Sequence, residues 1–566
     1  MTYESSKKWI IPENISSKDG IVEEILTKRG LNKDEFNDYL NPSLSSIPTW
    51  EKLYGANNAA EKIIKAVNEN KRIFIHGDFD VDGISATAIM WDFLYREVSD
   101  KLGKKVHVLP YIPDRVDEGY GLSKSSVDAM IKEGGNLIVT VDCGVRDRVL
   151  IEEYMQNSAC EFIVTDHHAL PENIEDIKYT LVHQMFPQSE YPEQRISGTF
   201  VAFLLTQAIR SQLEIDSELS INSRGLDLVA LSTVTDMMPL VGINRTIVKY
   251  GLEQIRMGSR YGLKYIMELS GVEIADTDSY HLGFVIGPRL NAAGRIGSAM
   301  DALKLLVTKD KMKAREYAAK LHNLNVQRQE TTQSIIKEAE QILNIEDTLL
   351  FISGEEWHEG IIGLVAGKLM EKYGKPVIVA TKTDNGSYKG SARSIASFNI
   401  TKAVSNFGDY LERYGGHAQA AGFTVKPNEL ERFKKKLIKY ANENISTDVL
   451  ERTLEIDAII EPTDVTQDMY GEIDKLKPFG YGNSKPLIML KGVEINEKYL
   501  MKGGEHIKLR LRSGMKDVIA LMFNCREDGE KLNEGDTIDI AGSLTENTWN
   551  GFRSIEVQVK EWRSTN

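Results

Sequence analysis

Residues 72–83 read RIFIHGDFDVDG. The first half is a short Ile/Phe-rich run that stops at Gly and Asp, as a strand buried on both faces of a parallel sheet does. The second half places His76, Asp78, Asp80 and Asp82 at two-residue spacing. In extended chain that spacing turns alternate side chains to one side. Three carboxylates so close repel one another; without cations they must take up protons or sit in water. Divalent ions resolve the conflict, and an oxygen-rich set suits Mg2+ or Mn2+. The plainer reading is a solvated acidic loop or a calcium loop. DFDVDG shares the start of an EF-hand loop, but a strand-like run precedes it and the closing Glu is absent.

Two further runs repeat the pattern downstream: NLIVTVD (136–142) and EFIVTDHH (161–168). Amphipathic stretches separate them, so the region reads as an open α/β sheet reaching to about residue 265. Ligands of such sheets bind outside the carboxyl ends of the strands. Asp142, followed by Cys143 and Gly144, and the triplet Asp166-His167-His168 are therefore expected at the same edge as residues 76–82. A lone His at a strand end is more often structural; an Asp-His-His triplet matched by two acidic strand ends points to metal chemistry. Asp236, in LVALSTVTDMMPL (228–240), is a fourth candidate, because an unpaired carboxylate in an apolar stretch is costly. Its alternative is a helix cap or a hydrogen-bonded core Asp.

Beyond this body, residues 310–345 read as one long helix, with Leu321, Leu324, Ile335, Ala339 and Ile342 at helical spacing. A second α/β alternation follows: TLLFISG, GIIGLVAGKLMEKYG and KPVIVAT, running to about residue 450. The tail differs. HIKLRLRSG, VIALMF, TIDIAGSL and SIEVQVKEW are short alternating strands between turn residues, which predicts a small all-β barrel. The first 50 residues read as a helical lead-in.

Composition sets the outer limits. The chain has 566 residues, enough for about three or four domains. Apolar residues are 42% and charged residues 27%, ordinary for a globular protein and unlike a disordered or collagenous one. No apolar run is long enough to span a bilayer, and MTYESSKKWI has no signal-like core, so a cytoplasmic location is expected. Three cysteines (Cys143, Cys160, Cys525) make neither a disulfide framework nor a zinc site. Net charge is −14, from 83 acidic and 69 basic residues, so any nucleic acid must bind through a local basic groove.

The set DFDVDG, VDCG, TDHH and TVTDMMPL resembles the four motifs of the DHH phosphoesterase superfamily. YIPDRVDEGYGL, GPRLNAAGRIGSA, LNVQRQ, WHEGIIGLVAGKL, SARS, RYGGHAQAAGF and PFGYGNSKP, in that order, are similar to segments of its RecJ branch. The resemblance covers roughly residues 50–566. It implies an α/β protein with two α/β domains, DHH and DHH-associated, joined by a long helix and followed by a C-terminal OB-fold. The implied boundaries are 1–56 (lead-in), 57–308, 309–345, 346–454 and 455–566. It implies a metal-dependent 5′→3′ exonuclease releasing 5′-mononucleotides from single-stranded DNA in recombination and repair. The implied cofactors are two divalent ions, Mn2+ or Mg2+.

By the same resemblance, the metal ligands are His76, Asp80, Asp82, Asp142, His167 and Asp236, with Asp142 bridging. His168 faces the scissile phosphate, Asp166 orients a histidine, and Asp78 stands behind the ligands. Substrate contacts fall to Arg115, Arg289, Asn291, Arg295, Ser391, Arg393, Gly415, Gly416 and His417; read alone, each Arg is equally a surface ion pair and Gly-Gly-His a tight turn. In HIKLRLRSG, Lys508, Arg510 and Arg512 alternate with apolar residues, a candidate basic face, with Tyr499, Trp549 and Arg553 beside it. The implied partners are single-stranded DNA, a single-strand-binding protein and a RecQ-type helicase, with no membrane and a monomeric chain. Two other readings stand beside this one: a DHH phosphodiesterase of short oligonucleotides or cyclic dinucleotides, and a non-catalytic replication scaffold.

Overall fold

The computed structural model describes residues 4–5, 7–115, 117–172, 174–445, 453–514, 516–549 and 552–565. It divides into two compact units: Ile47–Met238 with Ile247–Val449, and Met1–Ser46 with Pro239–Thr246 and Leu450–Asn566.

The larger unit holds two sheets. Five strands, β1 (Ile73–Gly77), β2 (Val108–Tyr111), β3 (Leu137–Val141), β4 (Glu161–Thr165) and β5 (Thr180–Val182), build a sheet of order β2-β1-β3-β4-β5, parallel throughout. Every residue of β1 and β3 is buried, which is why both read as unbroken apolar runs. The order reverses between β1 and β3. That is the switch point at which a crevice opens past the strand ends. Three helices pack together beside the sheet: α1 (Val81–Asp92), α2 (Gly198–Gln212) and α3 (Leu226–Thr235). Each is buried over most of its length, as an all-round apolar helix must be.

A helix α4 (Gly287–Ile296) leads to the 32-residue helix α5 (Lys311–Ile342), which packs on α4 and on α6 (Glu359–Tyr373). The long helix thus falls where its periodicity placed it, with Leu321, Ile335 and Ala339 buried and Ile342 exposed. The second sheet contains β6 (Leu350–Gly354), β7 (Val377–Lys382), β8 (Tyr388–Arg393), β9 (Leu411–His417) and β10 (Ala420–Val425), in the order β9-β10-β8-β7-β6. Only β6 and β7 are parallel.

The smaller unit is a closed barrel. Strands β11 (Ile488–Met501), β12 (His506–Ser513), β13 (Lys516–Phe523), β14 (Thr537–Trp549) and β15 (Phe552–Ser564) pair in the ring β11-β12-β13-β15-β14 and back to β11. Five strands closed in that order form an OB-fold. Ile21, Ile25, Leu26 and Phe36, from the segment expected as a lead-in, share the barrel's apolar core. Lys8–Ile10 pairs in parallel with Thr453–Glu455.

The barrel corrects one expectation. Ile507, Leu509 and Leu511 point inward and the cations alternate outward, but the cations do not form an open basic face. Each meets a carboxylate: Lys508–Glu556 at 4.0 Å, Arg510–Glu497 at 3.2 Å and Arg512–Asp517 at 3.2 Å. Cross-strand register sets Arg510 against Glu497 and Arg512 against Asp517, while Lys508 reaches Glu556 from outside its register pairs; the three carboxylates offset the stripe's charge. Arg553 meets Glu546 at 3.8 Å, and the Tyr499 hydroxyl donates to Glu497. The Trp549 side chain lies outside the described residues.

Candidate metal centre

The acidic loop does not stay extended. Asp80 caps α1: its Oδ1 accepts from the Asp82 and Gly83 amides at 2.9 and 3.2 Å. Asp82 then lies in the first helical turn, so a turn, not strand alternation, brings the carboxylates together. Asp82 is aimed at the N-terminus of α2. Its Oδ2 accepts from Gly198 N at 2.7 Å, and its Oδ1 from Thr199 N at 2.8 Å and from Thr199 Oγ1. The free amides and the dipole of a 15-residue helix favour a carboxylate there.

Asp142 follows β3 with a left-handed backbone (φ 60°), a conformation Asp tolerates better than most residues. Gly198 packs against it; a Cβ there would fall 2.6 Å from Asp142 Oδ1. His167 sits at the centre of the cluster. Its Nε2 is 3.1 Å from Asp142 Oδ1, 3.6 Å from Asp236 Oδ2 and 3.7 Å from Asp82 Oδ2. Its Nδ1 is 2.8 Å from the Ile196 carbonyl, which fixes the proton on Nδ1 and leaves the Nε2 lone pair facing the carboxylates. That is the arrangement of a metal-ligating imidazole.

Three groups bring ligand atoms within 4.8 Å of one another: Asp82, His167 and Asp236; Asp142, His167 and His168; and Asp78, Asp80 and Asp142. Buried Asp78 Oδ1, Asp142 Oδ1, His167 Nε2 and Asp236 Oδ2 have no hydrogen-bond partner among the described residues. Unpartnered buried acceptors are costly, and so many converging on one point fit divalent cations. Asp78 therefore stands among the potential ligands, closer in than its expected place behind them. His76 joins none of the three groups. It is fully buried, with Nε2 unpartnered and Nδ1 3.6 Å from Cys143 Sγ.

Electrostatics follow from this crowding. In the metal-free protein, burial and then the charges of Asp82, Asp80 and Asp236 push Asp142 well above the usual carboxylate range. Burial and Asp80 do the same to Asp78, and burial and Asp82 raise Asp80. Burial and the charges of Asp82, Asp80 and Asp78 raise Asp236 to about 9. A carboxyl raised this far, as Asp236 is, folds protonated at neutral pH. The stability such raised groups contribute is complete in acid, below their unfolded pKa of about 4, and is lost as pH climbs through the folded values. The metal-free protein is therefore expected to melt at falling temperature from about pH 4 to about 9. Saturating Mn2+ should flatten that slope, as calorimetry with and without EDTA would show; a slope unchanged by Mn2+ would remove this site as the cation's target.

Asp166 takes the opposite part. Burial works to raise it, but the His168 hydrogen bond and the charges of His168 and His167 hold it well below its usual value. It accepts from the amides of Val145 (3.0 Å), His167 (2.7 Å) and His168 (3.1 Å), and lies 2.8 Å from His168 Nδ1. Burial opposes charge on His168, yet the Asp166 bond and charge outweigh it and raise its pKa. Asp166→Asn should cut turnover about 10- to 100-fold, the usual cost of losing such an orienting partner. It should also lower the His168 pKa, read by NMR of the metal-free protein.

Sequence reasoning missed Tyr120 and Arg328, although both lie in stretches quoted above. The Tyr120 hydroxyl is 3.0 Å from His168 Nδ1 and 3.3 Å from the Asp142 carbonyl. Arg328 belongs to a cationic cluster. Burial and then the neighbouring charges of Arg115, Arg328 and Arg393 lower Arg295 to about 9, while Asp80 pulls the other way. Arg115, Arg328 and Arg393 thus lie near Arg295, and of the four Arg115 feels the charges of Asp78 and Asp80 and Arg295 that of Asp80. Arg115 lies over the Phe79 ring at 4.7 Å, and Arg295 Nη1 donates to the Gly360 carbonyl at 3.1 Å.

Asn291 meets the start of α1, and Arg289 reaches back along its own helical stretch. Asn291 Oδ1 accepts from Val81 N at 3.2 Å, and Arg289 Nη1 donates to the Val285 carbonyl at 2.8 Å. Ser391 and Gly415 line a cleft of about 360 Å³ together with Lys389, Arg413 and Gly422. Arg393 Nη1 is 3.4 Å from Ser391 Oγ. Gly416 and His417 do not line this cleft. His417 is exposed at the end of β9, and Gly416 answers to its own hairpin, since a Cβ there would sit 2.2 Å from the Ala420 carbonyl oxygen.

Three domain families match the chain in order: "DHH family, N-terminal domain" over residues 72–233, "DHHA1 domain" over 346–443 and "RecJ OB domain" over 456–561. With the acid- and His-lined sheet edge, they define a DHH-type phosphoesterase. Among curated proteins, the single-stranded-DNA-specific exonuclease RecJ of Bacillus subtilis (strain 168) is 31% identical over 547 residues, covering 96% of this chain and 67% of the relative. The enzyme of the same name from Thermus thermophilus is 33% identical, covering 93% and 72%. The chain belongs to the RecJ family. The crystal structure of Thermus thermophilus RecJ in complex with Mn2+ matches with a TM-score of 0.79 at 30% identity, covering 99% of this chain and 80% of that one. A Mg2+ complex of that protein matches with a TM-score of 0.73 at 28% identity, covering 99% and 79%.

Proposed function

We propose that the chain is a divalent-metal-dependent exonuclease that degrades single-stranded DNA 5′→3′ to 5′-mononucleotides, in recombination and repair. The observation that carries this reading is the set of unpartnered carboxylate and imidazole atoms at the sheet edge, with Arg115 and Arg295 close enough to feel their charge. The relatives named above as single-stranded-DNA-specific exonucleases supply the substrate.

Asp82, His167 and Asp236 would hold one divalent ion; Asp78, Asp80 and Asp142 would hold a second, with His76 a further candidate through its free Nε2. When bound, a pair of such ions supplies an activated water and stabilises the attacking and leaving oxygens. The chain's own residues do the rest. His168, braced by Asp166, faces the phosphate. Arg115, Arg295, Arg328 and Arg393 attract the phosphodiester strand, with Ser391 and Gly415 lining the adjacent cleft. Asp82, locked on the α2 amides, keeps its ligand geometry without help from substrate.

The reading takes 57–308 as the catalytic domain, 309–345 as the connecting helix, 346–454 as the substrate-binding domain and 455–566 as the OB-fold. It includes a monomeric cytoplasmic enzyme recruited through a single-strand-binding protein and a RecQ-type helicase. Among the described residues no helix is long and apolar enough to cross a membrane.

The test is digestion of a long single strand labelled at either end, with Mn2+ or with EDTA. Rapid release of the 5′ label as mononucleotide, abolished by EDTA, supports the reading. Survival of the long strand alongside hydrolysis of dinucleotides replaces it with a short-oligonucleotide phosphodiesterase.

A further inference from the structure

Two aromatic rings stand in water on the helical stretch whose inner side packs next to Asp236. Tyr280 is 60% exposed and Phe284 70% exposed. They stack on each other with centroids 4.9 Å apart and planes 25° from parallel. Rings of this size normally bury most of their area, and a pair left out together marks a surface that something covers.

Their setting ties them to the centre. Both lie at the start of the helical stretch that continues into α4. Its first turn is capped by Asp278, and residues Leu282–Ile286 form a wide π-helical turn. Such turns are rare and frequent at functional sites. The inner side of this turn packs on the residues next to Asp236: a Cβ on Gly283 would lie 3.5 Å from Val234 Cγ1, and one on Gly287 2.6 Å from Thr235 Cγ2. Met237, directly after Asp236, is itself 64% exposed. Arg289 follows Phe284 by five residues, one turn of the wider helix, and its guanidinium donates to the Val285 carbonyl. Asn291, a few residues on, binds Val81 N at the head of the acidic loop. The row of Tyr280, Phe284 and Arg289 thus runs along one helix toward the carboxylates.

We propose that Tyr280 and Phe284 form a stacking platform for unpaired bases of the strand held at the metal centre, with Arg289 next to them on the phosphate side. This rests on the exonuclease reading. Every base has a π face, so stacking holds a strand without reading its sequence. A paired base shows its neighbour, not its face, so the platform favours single strands over duplex.

The experiment measures kcat and KM on single strands carrying one abasic site, moved base by base from the 5′ end. The parent is expected to show a raised KM at one or two positions. Tyr280→Ala with Phe284→Ala should raise KM on the intact strand about tenfold, hold kcat, and abolish the abasic pattern. Phe284→Trp should restore the parent KM. If the double Ala variant loses its cooperative melt, Tyr280→Leu with Phe284→Leu, which keeps bulk and drops the rings, takes its place. A parent-like KM and abasic pattern in the ring-free variant would overturn the platform and leave the rings as a protein-docking patch. A parent that fails to degrade single strands would instead sink the exonuclease reading.

Discussion

Asp142→Asn is expected to lower turnover about a thousandfold or more, some 4 kcal/mol of transition-state stabilisation. Asp142 shares two of the three ligand groups, and its Oδ1 is the carboxylate atom closest to His167 Nε2, at 3.1 Å. No neighbouring oxygen can replace it without moving: Asp82 is pinned by Gly198 and Thr199, and Asp80 by the amides of α1. The same substitution removes the cost of protonating, on folding, a carboxyl that burial and the neighbouring carboxylates keep neutral in the metal-free protein. In EDTA the variant should therefore melt above the parent, and with saturating Mn2+ below it. A variant that loses activity but keeps parental Mn2+ affinity by calorimetry would contradict the ligand role of Asp142.

Gly83→Ala is expected to cost about 3 kcal/mol or more and to take Mn2+ affinity with it. A Cβ at residue 83 would sit 2.4 Å from Asp78 N, 2.5 Å from Asp78 O and 2.6 Å from Asp78 Cα. These are backbone atoms, so no rotamer relieves the clash; either the loop or the start of α1 must shift. Both carry ligands. Gly367→Ala, inside α6 with nothing within 4 Å of its would-be Cβ, is the control, and should stabilise by about 0.5–1 kcal/mol. Urea unfolding of the two variants gives both numbers. Equal effects would remove the steric argument for Gly83.

The sequence by itself determined a good deal. Strands β1, β3 and β4 were legible because central parallel strands are buried on both faces and read as unbroken apolar runs. The long helix was legible from period alone. The acidic and imidazole residues at three strand ends were legible because an open parallel sheet delivers its strand ends to one edge. The neighbouring strands were not. β2 is an edge strand of four residues with Pro110 inside it, and β5 has three residues. β11 closes the barrel but carries Gly492 and a charged run that hide its alternation.

The tertiary structure decided what depends on partners distant in the chain. Asp82 is held by amides at residues 198 and 199, and Arg328 comes to Arg295 from another helix. The cations of β12 looked like an open basic face until the fold set a carboxylate near each, two of them by strand register. Local pattern reports which side of an element is buried, since that follows from the spacing of adjacent residues. Which charges meet is a matter of long-range pairing, and spacing along one strand or helix carries no record of it.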